Sequence, residues 1–341
     1  MKGFYLTLCF VGGGSNREGA ICDGKGKDQY MSNTIRNFTA IAVLFILGFA
    51  ASPVVAASGK SDKNKQTPTG APVLWREPVD IAALDLVSGP GGEAAKPDLS
   101  SVTFIEVVLG GYSTKYRVRD GAGREWVVKV GKEAQPETAA TRLMWAVGYN
   151  ADITYLVPRV EIKGKGTFEN ARFEARPAGV ERFGYWEWAK NPFVGKREFN
   201  GLKVLMVLFN NWDLKTSNNR IAHVRGAAGE ELRYVVSDLG ATFGKTGNFI
   251  SHNRNVPKDY AKTNFVESVA GQKVLFDYHG KSKSVLADIT TDDAKWIGGL
   301  LARLSDRQIE DAFRAANYGA EDVTLLAGEV RSRINELVNL K

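Results

Sequence analysis

The stretch "FNNWDLKTSNNRIAHV", residues 209–224, decides how this chain is read. It leaves an apolar run, "LKVLMVLF" (202–209), and enters an alternating one, "NRIAHV" (219–224). The first has the pattern of a buried helix and the second that of a strand. Between them Asp213, Lys215 and Asn218 stand at the spacing D-x-K-x-x-N. One reading is a polar turn, since Asn and Asp are common after helices. The other is a loop that handles a phosphoryl group, which needs a carboxylate near the attacking hydroxyl, a cation for the phosphate and an oxygen ligand for magnesium.

Working outward, each remaining need of phosphoryl transfer finds a candidate. In "YVVSDLGATFG" (234–244) Tyr234, Val236 and Asp238 share a strand face, so Asp238 leaves an apolar strand against Gly240 as a possible metal ligand. A simple Asp-x-Gly turn is the alternative. In "WVVKV" (126–130) Lys129 shares a face with Val127, opposite Trp126, Val128 and Val130. Its stem is therefore expected to be half-buried with its head seeking an anion, or to sit on an edge strand facing water. "GGYSTKY" (110–116) joins two strands, and Gly110, Gly111 and Ser113 are candidates to meet phosphates there. Glu137 opens a helix marked by Pro136, either to pair with Lys129 or simply to complement the helix dipole.

Here the sequence resembles the protein kinase-like superfamily, and "WVVKV", "WDLKTSN" and "VVSDLG" carry the resemblance. They are similar, in order, to the lysine strand, the H-R-D-x-K-x-x-N catalytic loop and the D-F-G metal motif. The resemblance implies that Lys129 holds nucleotide phosphates and pairs with Glu137, that Asp213 is the catalytic base, and that Asn218 and Asp238 bind magnesium. It implies ATP and Mg2+ as substrate and cofactor. Asn211-Trp212 replaces His-Arg, Leu239 replaces the Phe of D-F-G, and no A-P-E segment follows Asp238. The style is that of secretory and small-molecule kinases. The expected fold is α+β and two-lobed, with a β-rich N-lobe at 102–195 and an α-rich C-lobe at 196–341.

Composition agrees with a globular chain: 341 residues, 44% hydrophobic and 24% charged. The net charge of +7 is scattered rather than gathered into a stripe, so nucleic acid is not an expected partner. The three histidines, His223, His252 and His279, show no ligand spacing for zinc. From Met31 the chain carries Arg36, an apolar stretch at 41–51 and small residues at Val55-Ala56-Ala57, the parts of a secretory signal peptide. We expect 1–30 to be an unused upstream extension, 31–57 a signal peptide, and 58–101 a flexible linker and N-terminal extension, with order beginning near Val102. Both cysteines, Cys9 and Cys22, fall in the first piece. The mature chain is expected to be periplasmic or secreted, with no stable membrane span after cleavage.

Three functions follow from these readings. The leading one is an ATP- and magnesium-dependent phosphotransferase acting on a protein, sugar or small-molecule acceptor. The second is an exported pseudokinase-like scaffold without turnover. The third is a carbohydrate-binding module using Tyr185, Trp186 and Trp188 of "FGYWEW", against the plainer reading of those rings as core.

Overall fold

The structure is a computed structural model that describes residues 68–226, 229–247 and 251–341. The proposed signal peptide and the first part of the linker lie outside the described residues. A short strand β1 (Ala71–Val73) is followed by β2 (Thr103–Val107), β3 (Lys115–Arg119) and β4 (Glu125–Lys129). Helix α1 (Ala134–Ala146) comes next, then β5 (Thr154–Ile162) and β6 (Gly166–Ala175). Strands β2 to β6 form a five-stranded antiparallel sheet in the order β2-β3-β4-β6-β5.

Alternation builds this sheet. Trp126 and Val128 turn to one face with Val118, Tyr155, Val157, Ile162 and Phe173, which together form a separate apolar cluster. The opposite face of β4 carries Val127 and Lys129, both buried. In register, Lys129 lies between Lys115 on β3 and Arg172 on β6. Three cations side by side on one sheet face repel one another and demand carboxylates from whatever packs above them. Helix α1 packs above them.

Beyond the first sheet come β7 (Val180–Gly184), α2 (Arg197–Leu208), β8 (Asn219–Gly226) and β9 (Gly229–Val236). A one-turn helix α3 (Pro257–Tyr260) and the hairpin β10 (Val266–Ala270) and β11 (Lys273–Phe276) precede three helices: α4 (Thr291–Ala302), α5 (Asp306–Arg314) and α6 (Ala320–Val338). Capping boxes at Thr290–Asp293 and Ser305–Gln308 start α4 and α5. Helix α2 is buried from Phe199 to Leu208 and forms the middle of the main core, with α4, α5 and α6 contributing Ile297, Leu301, Phe313, Val330 and Ile334. A β-rich lobe is thus followed by an α-rich one, the two-lobed α+β arrangement that the sequence implied.

Three features differ from the sequence reading. Order begins well before Val102: β1 pairs in parallel with β9, and Leu74, Ile81 and Leu86 are buried in the main core. Gln308 on α5 also donates to the carbonyls of Ile81, Ala82 and Leu84. The anchors lie in short apolar clusters, Val73-Leu74-Trp75 and Ile81 to Val87, too brief for a period to announce an element. The chain leaves the first sheet at Ala175 and joins the second, of order β1-β9-β8-β7, at Val180, so the passage between lobes falls there rather than near 195. Finally, Trp186 and Trp188 are core residues, 3% and 5% exposed, packed edge-on at 4.8 Å against one another. They cannot form a sugar platform, whereas Tyr185 stays exposed with the Arg220 guanidinium stacked 3.8 Å from its ring.

Candidate active site

Lys129 ends β4 and is only 3% exposed, a position a lysine rarely holds without partners. Its Nζ lies 2.6 Å from Glu137 Oε2, 3.3 Å from Asp238 Oδ1 and 3.6 Å from Glu133 Oε2. The turn at Gly131, with φ of 102°, leads directly into α1, and this short connection sets Glu137 against the β4 lysine. Arg172 approaches the other Glu137 oxygen at 3.3 Å and is itself bonded to Glu174 at 2.8 Å. Burial pushes the Glu137 carboxyl above its ordinary range, against the pull of Arg172 and Lys129. Lys115 is shifted down by burial and by Lys129 beside it.

Asp238 follows the end of β9. Burial works against its ionised form, yet Lys129, the Gly240 backbone N–H and Arg172 outweigh it and hold its carboxyl below the usual range. It retains 34% side-chain exposure, so it faces both the lysine and solvent. The backbone N–H groups of Ser237 and Asp238 both donate to the Asn218 carbonyl, at 2.9 and 3.2 Å. Because Asn219 pairs with Val236, residues 218 and 238 meet at one end of the β8–β9 ladder. The Asn218 amide nitrogen donates to the Asp213 carbonyl at 2.7 Å and to its Oδ2 at 3.3 Å. Hydrogen bonds therefore link Lys129 to Asp238, Asp238 to Asn218, and Asn218 to Asp213.

The loop that carries Asp213 is held from several directions. Arg333 of α6, fully buried, donates to the Leu208 carbonyl at the end of α2, to Asn210 Oδ1 and to Thr263 Oγ1. A cation at a helix C-terminus satisfies carbonyls that the helix leaves open. Asn210 then turns the chain with a positive φ of 53°. Segment 278–282 clasps the far side. Tyr278 Oη donates to the Asn211 carbonyl, the Lys281 N–H to that of Trp212, and Ser282 Oγ to that of Leu214. A Cβ at Gly280 would stand 2.7 Å from Trp212 Cα, so the close approach needs glycine. Both oxygens of Asp213 are engaged, Oδ2 by Lys215 at 2.7 Å and Oδ1 by Lys281 at 2.9 Å.

The glycine loop is turned by Gly110 and Gly111, with φ of 94° and 79°. Ser113 does not stand free: its hydroxyl donates to Glu133 Oε2 at 2.6 Å. Glu133 also accepts from Arg254, whose guanidinium lies 4.6 Å from the Tyr112 ring and 4.8 Å from that of Trp212. The structure thus brings Lys129, Glu137, Asp213, Lys215, Asn218 and Asp238 together, and adds Glu133, Arg172, Arg254 and Lys281. Of these, only Glu133 left a trace in sequence, four positions after Lys129. The others arrive by strand register or from distant loops.

No protein-family model matches the chain, nor does any curated protein. Among solved structures it is similar to the Helicobacter pylori proinflammatory kinase CtkA, at 12% identity and a TM-score of 0.45, over 71% of this chain and 95% of that one. It is similar to the Rio2 kinase of Chaetomium thermophilum in a complex with ADP/Mg2+ and phosphoaspartate, at 12% identity and a TM-score of 0.28, over 71% and 74%. A structure of hydra Fam20 with sugar matches at 10% identity and a TM-score of 0.29, over 72% and 88%. Among the described residues, no helix is long and apolar enough to cross a membrane.

Proposed function

We propose that the chain is an ATP- and magnesium-dependent phosphotransferase of atypical kinase-like fold, exported to the periplasm or beyond. The observation that carries this reading is the meeting of Lys129, Glu137 and Asp238 from three separate elements, within 3.3 Å of the lysine ammonium. Glu137 holds Lys129 extended, and Lys129 with the glycine loop would receive the nucleotide phosphates. Asn218 and Asp238 offer oxygen donors to a hard cation. The Asn218 amide spends its nitrogen on Asp213, while its Oδ1 accepts no hydrogen bond among the described residues. Magnesium held there would neutralise charge on the phosphates.

In the reaction an acceptor hydroxyl oxygen bonds to the γ-phosphorus, the bond from that phosphorus to the β–γ bridging oxygen breaks, and ADP leaves. The hydroxyl proton passes to the Asp213 carboxylate. Lys215 would neutralise charge on the transferred group. Both Asp213 oxygens are bonded to ammonium groups, so the acceptor would share an oxygen with one of them or displace it to reach the base.

Titration of the purified protein with ATP, with and without magnesium, followed by transfer of labelled γ-phosphate to an envelope extract, tests the reading. Absence of nucleotide binding at millimolar ATP would sink it. The second reading, an exported pseudokinase-like binding protein, draws on the double engagement of Asp213. It predicts nucleotide binding with no transfer to any acceptor. Export is tested separately by N-terminal sequencing, which should find a start near Ala56–Ser58, and intact 31–57 on a cytoplasmic protein would refute it.

A further inference from the structure

A buried guanidinium loses its hydration and needs an anion or several acceptors in exchange. Arg142, on α1 a little over a turn beyond Glu137, lacks that exchange. It is 1% exposed. Its Nη2 donates to the Thr154 carbonyl at 2.6 Å, but Nε and Nη1 have no hydrogen-bond partner. Among the described residues no carboxylate forms an ion pair with it, and its nearest aromatic companion is the Tyr155 ring, 5.6 Å from Cζ. Burial lowers its pKa to about 10, with Tyr155 and Asp85 opposing. The backbone is shaped around the group all the same. Gly89 has a φ of +66°, and a Cβ there would stand 2.3 Å from Arg142 Cζ.

A cavity of about 300 Å3 adjoins this side chain. Arg142, Lys96 and Arg314 line it, together with apolar residues that include Leu99, Tyr155 and Val157, and no carboxylate does. Lys96 and Arg314 are paired with Glu93 and with Glu310 and Asp311, at side-chain exposures of 40% and 48%. Exposed pairs of this kind are weak and exchange readily for another anion. A larger cavity among the described residues, about 870 Å3, offers a contrast, because its arginines are already paired. Arg182 meets Asp152 and Glu174, Arg176 meets Glu174, and Arg76 and Arg233 meet Glu231.

We propose that the smaller cavity binds a small oxyanion on a compact apolar body, a phosphomonoester or carboxylate, with Arg142 as the buried anchor, its guanidinium turning from against Gly89 to meet it, and Lys96 and Arg314 at the rim. Its size is at the low end for ligand pockets. None of Lys129, Asp213, Asn218 and Asp238 lines it, so it is separate from the nucleotide cleft and does not depend on the phosphotransferase reading. An occupant would tie together α1, β5 and α5, which supply Arg142, Tyr155 and Arg314. Helix α1 also carries Glu137, so the site would act on the element that positions Lys129.

The test is calorimetric titration of the full chain with phenyl phosphate and benzoate, with phenol as neutral control. At least one of the two anions should bind saturably and phenol should not. Arg142→Gln should weaken binding roughly tenfold or more, the loss expected for a charge-assisted contact. If that variant does not fold, Lys96→Ser with Arg314→Ser, both on the surface, and Ala315→Trp, which fills the cavity, replace it, and each should weaken binding. Lys215→Met, an exposed cation of the nucleotide cleft, should leave binding intact. No saturation up to roughly 10 mM overturns the proposal. Binding indifferent to the cavity variants, or lost only in Lys215→Met, overturns it equally by placing the anion elsewhere.

Discussion

Lys281 Nζ stands 2.9 Å from Asp213 Oδ1, although 68 residues separate the two in the chain. The Lys281 N–H is bonded in turn to the Trp212 carbonyl, so the lysine is fixed by its own backbone to the loop it serves. Asn211 and Trp212 precede the aspartate, and neither side chain bonds its carboxylate oxygens among the described residues. Lys281 and Lys215 hold Asp213, one on each oxygen.

Lys281→Met should therefore misplace Asp213 without touching the nucleotide. The transfer rate should fall about ten- to a hundredfold, the kinetic equivalent of one charge-assisted hydrogen bond. ATP affinity should hold. Asp213→Asn removes the proposed base and should cost about a hundred- to ten-thousandfold in rate with binding intact. Single-turnover rates beside ATP titrations separate the two effects. A drop in ATP affinity for Lys281→Met would contradict a purely positioning role.

Lys129→Met leaves Glu137 buried with Arg172 as its remaining cation and Asp238 without its ammonium. Breaking a buried ion pair from one side typically costs about 3–5 kcal/mol. Urea unfolding should show a loss of that size, alongside loss of nucleotide binding. A fully stable Lys129→Met protein would mean that Arg172 alone satisfies Glu137.

The contrast between Lys129 and Arg172 shows what sequence makes legible. Lys129, Asp213, Asn218 and Asp238 each sit at the end of a periodic segment, so local patterning places them near a strand end or a helix exit. Arg172 reaches Glu137 only because β6 pairs with β4 in one register, and Lys281 reaches Asp213 only because 278–282 folds back across the loop. Neither relation has a local signature. The same reason hid Leu74, Ile81 and Leu86, whose burial depends on a parallel strand pairing and on Gln308. The tryptophans of "FGYWEW" were ambiguous in sequence because an aromatic cluster looks alike whether it faces a ligand or a core.

Arg333 supports the site from beneath. Arg333→Met would leave Asn210 Oδ1 buried without its donor, while the Leu208 carbonyl would keep the Tyr260 hydroxyl. One unsatisfied buried acceptor costs about 1–3 kcal/mol, and a loss of about that size is expected. Thermal and urea unfolding should agree on that figure. A near-neutral change would show that the α2 exit is held by Tyr260, Tyr278 and the 278–282 segment.

Asp238 supplies a dependence on pH with a definite sign. Its folded carboxyl is held below the ordinary value of 3.8, chiefly by Lys129 acting against burial. A carboxyl depressed in this way adds stability above its unfolded pKa and loses it as the pH falls through the folded one. The free-energy difference between the native protein and Asp238→Asn should therefore be constant near neutrality. It should shift against the native protein once the pH drops below about 4, where the unfolded carboxyl begins to take up protons. Other carboxylates titrate in the same range, so the two proteins must be compared at each pH rather than one followed alone. Urea unfolding at intervals from neutrality to the acid limit of folding gives the comparison. A difference that instead moves in favour of the native protein on acidification would mean that burial, not Lys129, dominates at Asp238, and the ammonium would then be spending its charge mainly on Glu137.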